Sequence, residues 1–335
     1  MGTPFVKRQE PTRLDAYNRL LPHDQQSAYI SPTFIHAMSV RENVFAQEQG
    51  YRRESEQDAD DAKACHWVMY ASVNTIKEPE ERDPVTDLVI RRRRSETKTV
   101  PIAALRIVPF PHPPHPPVGS HYVGGILQAD DYVPPVASSS NANNNKTKDI
   151  KNNKTNENAS PHENGNHNGN GYGTKDYFAE PKVPEPPRHR ALSLNEHRRL
   201  FANKPFGPDR PTDFHNGKEP YYKLGRVAVL PEYRGDNAGK RLWDIATQWL
   251  QENPTYFNPS VRELGSDVMK VTNVNDIPKW NGLVCIHAQE ALIRVYESWG
   301  FQVDNTFGKF YQDGIPHVGM WTRLPIDARA TEPRI

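Results

Sequence analysis

The segment Arg226-Val-Ala-Val-Leu-Pro-Glu-Tyr-Arg-Gly-Asp-Asn-Ala-Gly-Lys240 joins an apolar run to a helical pattern through a glycine-bearing turn. A short apolar run, Val227-Ala228-Val229, reads as a strand that ends in a glycine-bearing turn, and a helix starts directly after it. The first amides of a helix have no intrahelical acceptor, and they sit at the positive end of its dipole, so the junction is suited to an anion. Arg234 and Lys240 flank the turn with mobile positive charge. Small residues at Gly235, Ala238 and Gly239 leave room for a phosphate to approach the main chain, and Asp236 and Asn237 complete the loop. The segment reads as a pyrophosphate cradle.

Neither G-x-x-x-x-G-K-[ST] nor G-x-G-x-x-G is present in the turn, so nucleoside triphosphates and dinucleotides lose support as ligands. The turn resembles the cofactor loop of the GNAT superfamily of N-acetyltransferases, Arg/Gln-x-x-Gly-x-Gly/Ala. Arg234 and Gly239 match its first and last positions, and Asn237 replaces its middle glycine. Asn accepts a positive φ more readily than most residues.

Two further segments extend the resemblance. Leu283 to Phe301 reads as an apolar strand of about five residues leading into a helix, with Ala288, Ala291, Leu292 and Val295 on one face and Gly300 as its stop. Its ending, with Ala291, Tyr296, Glu297, Gly300 and Phe301, resembles the second GNAT signature. Gly308 to Met320 is similar to the closing hairpin of many members. Nearer the N-terminus, Ser31-Pro32 is an N-cap followed by proline, and Phe34, Met38, Arg41 and Phe45 recur at helical spacing, which predicts a helix to about Glu48. The run Arg41 to Gly50 resembles the first helix of the bacterial ElaA type. His66–Val73 and Ile102–Val108 read as the strands that follow.

Composition sets the remaining limits. The chain has 335 residues, a formal net charge of +1 and 25% charged residues, so nothing calls for nucleic acid or an anionic membrane as partner. No apolar run approaches the eighteen residues of a membrane span, and the polar N-terminus does not read as a secretory signal. Cys65 and Cys285 are the only cysteines and stand in no metal-ligand spacing, so no metal is expected. The expected location is cytoplasmic, with the nucleus left open. Arg91–Arg94 reads as the solvated tip of a hairpin.

Residues 1–108 are expected to form the first part of one core, and 221–325 its cofactor-binding and C-terminal part, with 326–335 a tail. Between them, 109–220 reads as an insertion: Phe110–Pro117 is proline-rich, and 137–173 is Asn-, Lys- and Gly-rich with almost no apolar residues to offset the entropy of ordering it. A short helix over Leu192–Phe201 is expected to pack beside the core.

The fold implied by the resemblance is α/β (α+β): a mixed, mostly antiparallel sheet with helices on both faces and a splayed central strand pair. A doubly wound dinucleotide fold is the architectural alternative. The implied activity is direct acetyl transfer from acetyl-CoA to a primary amine of a small molecule or protein. The backbone of Val227, Ala228 and Val229 would meet the pantetheine arm, and the 234–240 turn the pyrophosphate. Tyr296 would protonate the departing thiolate. Glu48, His66, His287 and His317 are base candidates by chemical type, His287 and Glu48 foremost. A CoA-binding protein without turnover, or a scaffold whose disordered insertion recruits partners, are the competing readings. Homodimerisation through a sheet edge is compatible with this fold.

Overall fold

Trp67, Met69 and Ala71 alternate with Val68 and Tyr70, and all five are buried, so this strand must be covered on both faces. In the computed structural model, which describes residues 4–128, 209–258 and 278–327, that is its position. The strands are β1 (Phe5–Gln9), β2 (Cys65–Glu78), β3 (Glu81–Arg82), β4 (Val89–Arg91), β5 (Arg94–Val108), β6 (His121–Val123), β7 (Ile126–Leu127), β8 (Tyr222–Val229), β9 (Leu283–Gln289), β10 (Gln302–Val303), β11 (Lys309–Gln312) and β12 (Ile315–Arg323). Three α-helices are described: α1 (Pro32–Arg41), α2 (Ala238–Glu252) and α3 (Ile293–Ser298).

One sheet has the order β1-β2-β5-β8-β9-β12-β11-β6-β7, with β10 added beside β12, and β3 and β4 form a separate ribbon. Every pairing in the main sheet is antiparallel except β8 with β9 and β11 with β6. The doubly wound alternative is therefore overturned, because that architecture needs parallel strands throughout. Helices cover both faces. On one, Ala37, Val40, Val44 and Phe45 of α1 and its continuation pack against Val68, Tyr70, Ala104 and Ala228. On the other, Leu242, Trp243, Ala246 and Leu250 of α2 join Trp67, Met69, Leu105, Leu224 and Ile286 in the main core. Each fully buried aliphatic or aromatic side chain there contributes about 1.5–3 kcal/mol.

Four local expectations need correction. Helical turns do run from Pro32 to Glu48, but Glu42–Glu48 is π-helical, widened to i→i+5 bonds and closed by Gln49 N–H to the Val44 carbonyl at 3.1 Å. Ser31 sits at the N-cap without capping, since its hydroxyl donates to Gln9 Oε1 instead. The hairpin strands are longer than the apolar pattern suggested, because β2 and β5 continue pairing out to Glu78 and Arg94 as a solvent-exposed arm; Arg91–Arg94 is exposed at its far end.

The fourth correction touches the site. The apolar segment at Leu283 remains a strand through Gln289, so Ala288 lies in the sheet and α3 begins only at Ile293. The reason is register: β12 runs alongside as far as His317 opposite Gln289, and those ladder bonds outcompete helix. Tyr296 is the buried residue of α3, while Leu292 and Val295 are exposed.

Of the expected insertion, residues 109–128 and 209–220 lie in the described regions. His121–Val123 pairs with β11, and His112 and His115 pack against Tyr221. The stretch 137–173 and the helix expected at Leu192–Phe201 lie outside the described residues, as does the end of the tail.

Candidate active site

Parallel pairing of β8 with β9 covers only Tyr222–Val284, Lys223–Cys285 and Leu224–Ile286, although β8 continues to Val229 and β9 to Gln289. The cause is a bulge in β8. Ala104 faces Ala228 while Arg106 faces Gly225, so the Gly225–Val227 corner carries an extra residue, and Arg226 takes a left-handed φ of 50°. A non-glycine residue at positive φ is costly, and such strain persists only where surrounding contacts hold it. Here Arg226 is tied to Asp58 at 3.2 Å and to Glu56 at 3.3 Å. The bend carries β8 away from β9 and leaves the splay expected between the central strands.

A cavity of about 300 Å3 occupies this opening, lined by residues of both sheet faces: Lys223, Arg226, His287 and His317 on the α1 side, Tyr296 on the other, and Val227 at the bulge. Leu230 N–H bonds to the Ile102 carbonyl on the β5 side at 2.9 Å. By strand alternation, the polar groups of Val229 and Val227 turn toward the splay, where no strand partners them.

Beyond the end of β8, Gly235 (φ 89°) and Asn237 (φ 57°, ψ 22°) both adopt left-handed conformations that swing the chain into α2. Asn at position 237 therefore takes the backbone geometry a glycine would supply. No side chain caps α2, and among the described residues no backbone acceptor meets the amides of Gly235 through Lys240. A Cβ at Gly235 would meet nothing within 4 Å, so this side of the turn is open. Gly239 has a different reason to be small: a Cβ there would lie 3.2 Å from the Trp299 ring. Its lack of a side chain serves α2–α3 packing at least as much as anion access.

Arg234 is anchored at the turn. Its Nε donates to the Val229 carbonyl at 3.0 Å, and its Nη atoms donate to both carboxylate oxygens of Glu48 at 2.8 and 2.5 Å. The hydrogen bond from Arg234 holds Glu48 below the usual carboxylate range. Glu48 is thus brought to the 234–240 turn by the π-helical end of α1 and does not line the cavity. Lys240 pairs with Asp244 one turn along α2.

Two histidines do line the cavity. His317 is buried, and its Nδ1–H donates to the Ile315 carbonyl at 2.8 Å, which leaves the lone pair on Nε2. Desolvation lowers its pKa, so the ring is neutral near pH 7. His287 lies in mid-strand opposite Gly319, not at a helix start, and burial pushes its pKa well down. Phe307 and Phe310 meet its ring edge-on at 5.3 and 5.0 Å. Tyr296 is buried, and desolvation raises its pKa, so its hydroxyl keeps its proton. His66 is spent structurally: its Nε2–H bonds to the Asp61 carbonyl at 3.0 Å, and burial lowers its pKa to about 4.

The cavity wall rests on a buried ionic network that gives no sequence signal beyond single charged residues. Asp61 accepts from Arg41 at 2.7 Å and from Arg106 at 2.6 Å; Arg41 also donates to Glu56 at 2.6 Å, and Arg106 to Asp58 at 2.6 and 2.9 Å. Lys223 was likewise missed. It lines the cavity with no hydrogen bond or ion pair among the described residues, and burial lowers its pKa. Its only sequence signal is a lysine inside an otherwise apolar strand.

Fold and cleft together define a mixed-sheet protein with a ligand-sized opening between two parallel central strands. No family model matches the chain, and no curated protein matches it. Among solved structures it is similar to a candidate N-acetyltransferase from Lactobacillus plantarum (15% identity, TM-score 0.38, covering 97% of this chain and 100% of that one). It is also similar to Escherichia coli ElaA (14%, TM-score 0.34, 95% and 100%) and to an acyl-CoA N-acyltransferase from Pseudomonas aeruginosa (13%, TM-score 0.34, 95% and 99%). At such identities and TM-scores, a functional reading has to stand on this chain's own cleft and motifs.

Proposed function

We propose that this protein binds acetyl-CoA in the β8–β9 splay and transfers the acetyl group directly to a primary amine. The observation that carries this reading is the parting of β8 from β9. The cavity there is lined by Val227, Tyr296 and two neutral histidines, and β8 leads on to the turn at Gly235–Lys240, whose amides meet no backbone acceptor among the described residues. The arrangement matches the three demands of acyl transfer from a thioester. An anion cradle holds the pyrophosphate. A backbone N–H of the splayed strand polarises the thioester carbonyl. A protonated phenol supplies the proton to the departing thiolate.

The acceptor amine must shed a proton to act as nucleophile. Lys223 shows what the cavity does to such a group, since its own amine is pushed toward the neutral form by desolvation. His317 and His287 are the neutral bases available to take the proton. Attack of the amine nitrogen forms the new C–N bond as the C–S bond breaks, and the thiolate leaves with the Tyr296 proton. Glu48 serves this reading as the group that positions Arg234, not as the base.

Calorimetric titration of the purified protein with acetyl-CoA tests the proposal. Binding that is weakened at least tenfold by Arg234→Ala combined with Lys240→Ala supports the cradle. A folded wild-type protein that does not bind acetyl-CoA refutes the assignment.

A further inference from the structure

The cavity's charges are not equally satisfied. Glu56 is held by Arg41, Asp58 by Arg106 and Arg226, and Asp60 by Lys63 at 2.7 Å. The exposed charged residues at the rim are Arg19, Arg52, Glu54 and Asp313, two of each sign. Lys223 is the exception. It stands on the α1 face of β8, and the nearest ladder partner, Cys285, is a buried thiol with no charge to offer. Asp60 and Asp58 lie near enough to attract Lys223, but each is already ion-paired with another cation, and His112, His287 and His317, which burial keeps neutral, bring no negative charge.

A lysine side chain lining a cavity, with no ion pair among the described residues while each neighbouring acid already has its cation, is a cation waiting for a ligand's anion. Position decides what kind of ligand. Lys223 precedes the bulge at Gly225–Val227 by two residues, on the paired side of the point where the strands part. It is therefore set back from the splay where the thioester would lie, by roughly two strand residues at about 3.3 Å each plus the offset of its own side chain. A ligand spanning that interval carries its two functional groups several ångströms apart.

We infer that the acceptor is an amine that also bears a carboxylate, and that Lys223 pairs with the carboxylate while the amine faces the splay. The inference deepens the acyltransfer reading and depends on it for the role of the amine. The pairing itself does not. Salt-bridging to a desolvated lysine favours its charged form and fixes the far end of the acceptor, so Lys223 is a specificity-determining residue with no part in the bond-making step. An uncharged or dicationic acceptor of the same length would leave the lysine unpaired or set two cations against each other.

The test uses a ladder of unbranched ω-amino carboxylates of three to six carbons, with the amino alcohols and diamines of matching length. Each is titrated into the full-length protein, alone and with saturating CoA, and is assayed for turnover with acetyl-CoA. At least one amino carboxylate should bind tenfold or more tighter than its amino alcohol. Lys223→Met should erase that difference while leaving CoA affinity unchanged, and Lys223→Arg should keep most of it. Equal affinity of carboxylate and alcohol, absence of carboxylate binding, or a preference that survives in Lys223→Met would overturn the inference. If acetyl-CoA itself fails to bind, the acyltransfer reading falls, and the titrations of the protein alone still decide whether Lys223 is an anion site.

Discussion

Replacing Asp61 by Asn probes the scaffold on which the cavity is built. Asp61 is fully buried and accepts four hydrogen bonds: from Arg41 Nη1 and Nη2 (2.7 and 3.2 Å), from Arg106 Nη1 (2.6 Å) and from the Asp58 amide (2.9 Å). The network around it has three cations, Arg41, Arg106 and Arg226, and three anions, Glu56, Asp58 and Asp61. Asn keeps one acceptor but turns an NH2 toward guanidinium donors and leaves the network one negative charge short. Removing one member of a buried ion pair costs about 3–5 kcal/mol. The lower end applies here, about 3 kcal/mol, because Arg41 keeps Glu56, Arg106 keeps Asp58, and Arg226 is partly exposed and can reach water. For a folded core of about 150–250 residues, the size range of the described residues, such a loss lowers Tm by roughly 6–12 °C.

Urea denaturation at pH 7 measures the change, and its pH dependence checks the cause. The flanking arginines hold the Asp61 carboxyl well below the usual carboxylate range, against the desolvation that opposes them. A group depressed in the folded state contributes stability in full above its unfolded pKa, near ~3.9, and loses it as pH falls toward the folded value. The gap between wild type and Asp61→Asn should therefore be constant from pH 8 to 5 and narrow by about 1.4 kcal/mol per unit below pH ~4. A loss under about 1 kcal/mol at pH 7, or a gap that ignores acid, would refute the reasoning.

Two further outcomes follow from the site. Tyr296→Phe should leave acetyl-CoA affinity and Tm near wild type while turnover falls by roughly 10²–10⁴-fold, the usual worth of a positioned acid; turnover at the wild-type rate in a stopped assay of CoA release would remove Tyr296 from the chemistry. Gly319→Ala should cost about 1–3 kcal/mol in the same urea experiment, because the new Cβ would lie 2.5 and 2.6 Å from the Cδ atoms of Phe307. Phe307 also rests on His287, so this variant should lose activity along with stability; a wild-type denaturation midpoint would show that the ring moves aside freely.

Most of what the resemblance pointed to lies in short segments with strong local signals. The 234–240 turn is legible because glycine, asparagine and a following helical pattern are local determinants of left-handed backbone and of helix starts. The observed φ values at Gly235 and Asn237 follow from those residue types. The closing hairpin is legible for the same reason: Asp313-Gly314 takes positive φ at both positions, as a two-residue turn between strands requires. Tyr296 is found because its helix ends at a glycine that marks the register, and Gly300 does adopt φ 94°. Leu242 and Trp243 are core residues, as helical spacing requires.

What was illegible depended on partners far away in sequence. Ala288 reads as helical until β12, some thirty residues later, supplies a ladder that keeps it in a strand. Glu48 has the chemistry of a base, but Arg234, 186 residues away, claims both of its oxygens. The bulge that opens the splay has no motif of its own, and the ion pairs that hold Arg226 in its strained conformation come from a loop near residue 58. Local chain stiffness and apolar periodicity act within a few residues and are written directly in the sequence. They determined a mixed α/β chain with a left-handed turn ahead of a helix, a tyrosine-bearing helix and a closing hairpin. Strand register, burial of charge and the pairing of one acid with one base are properties of surfaces brought together only on folding. The tertiary structure alone therefore decided which histidines face the cavity, which carboxylates are neutralised, and that Lys223 has no ion pair among the described residues.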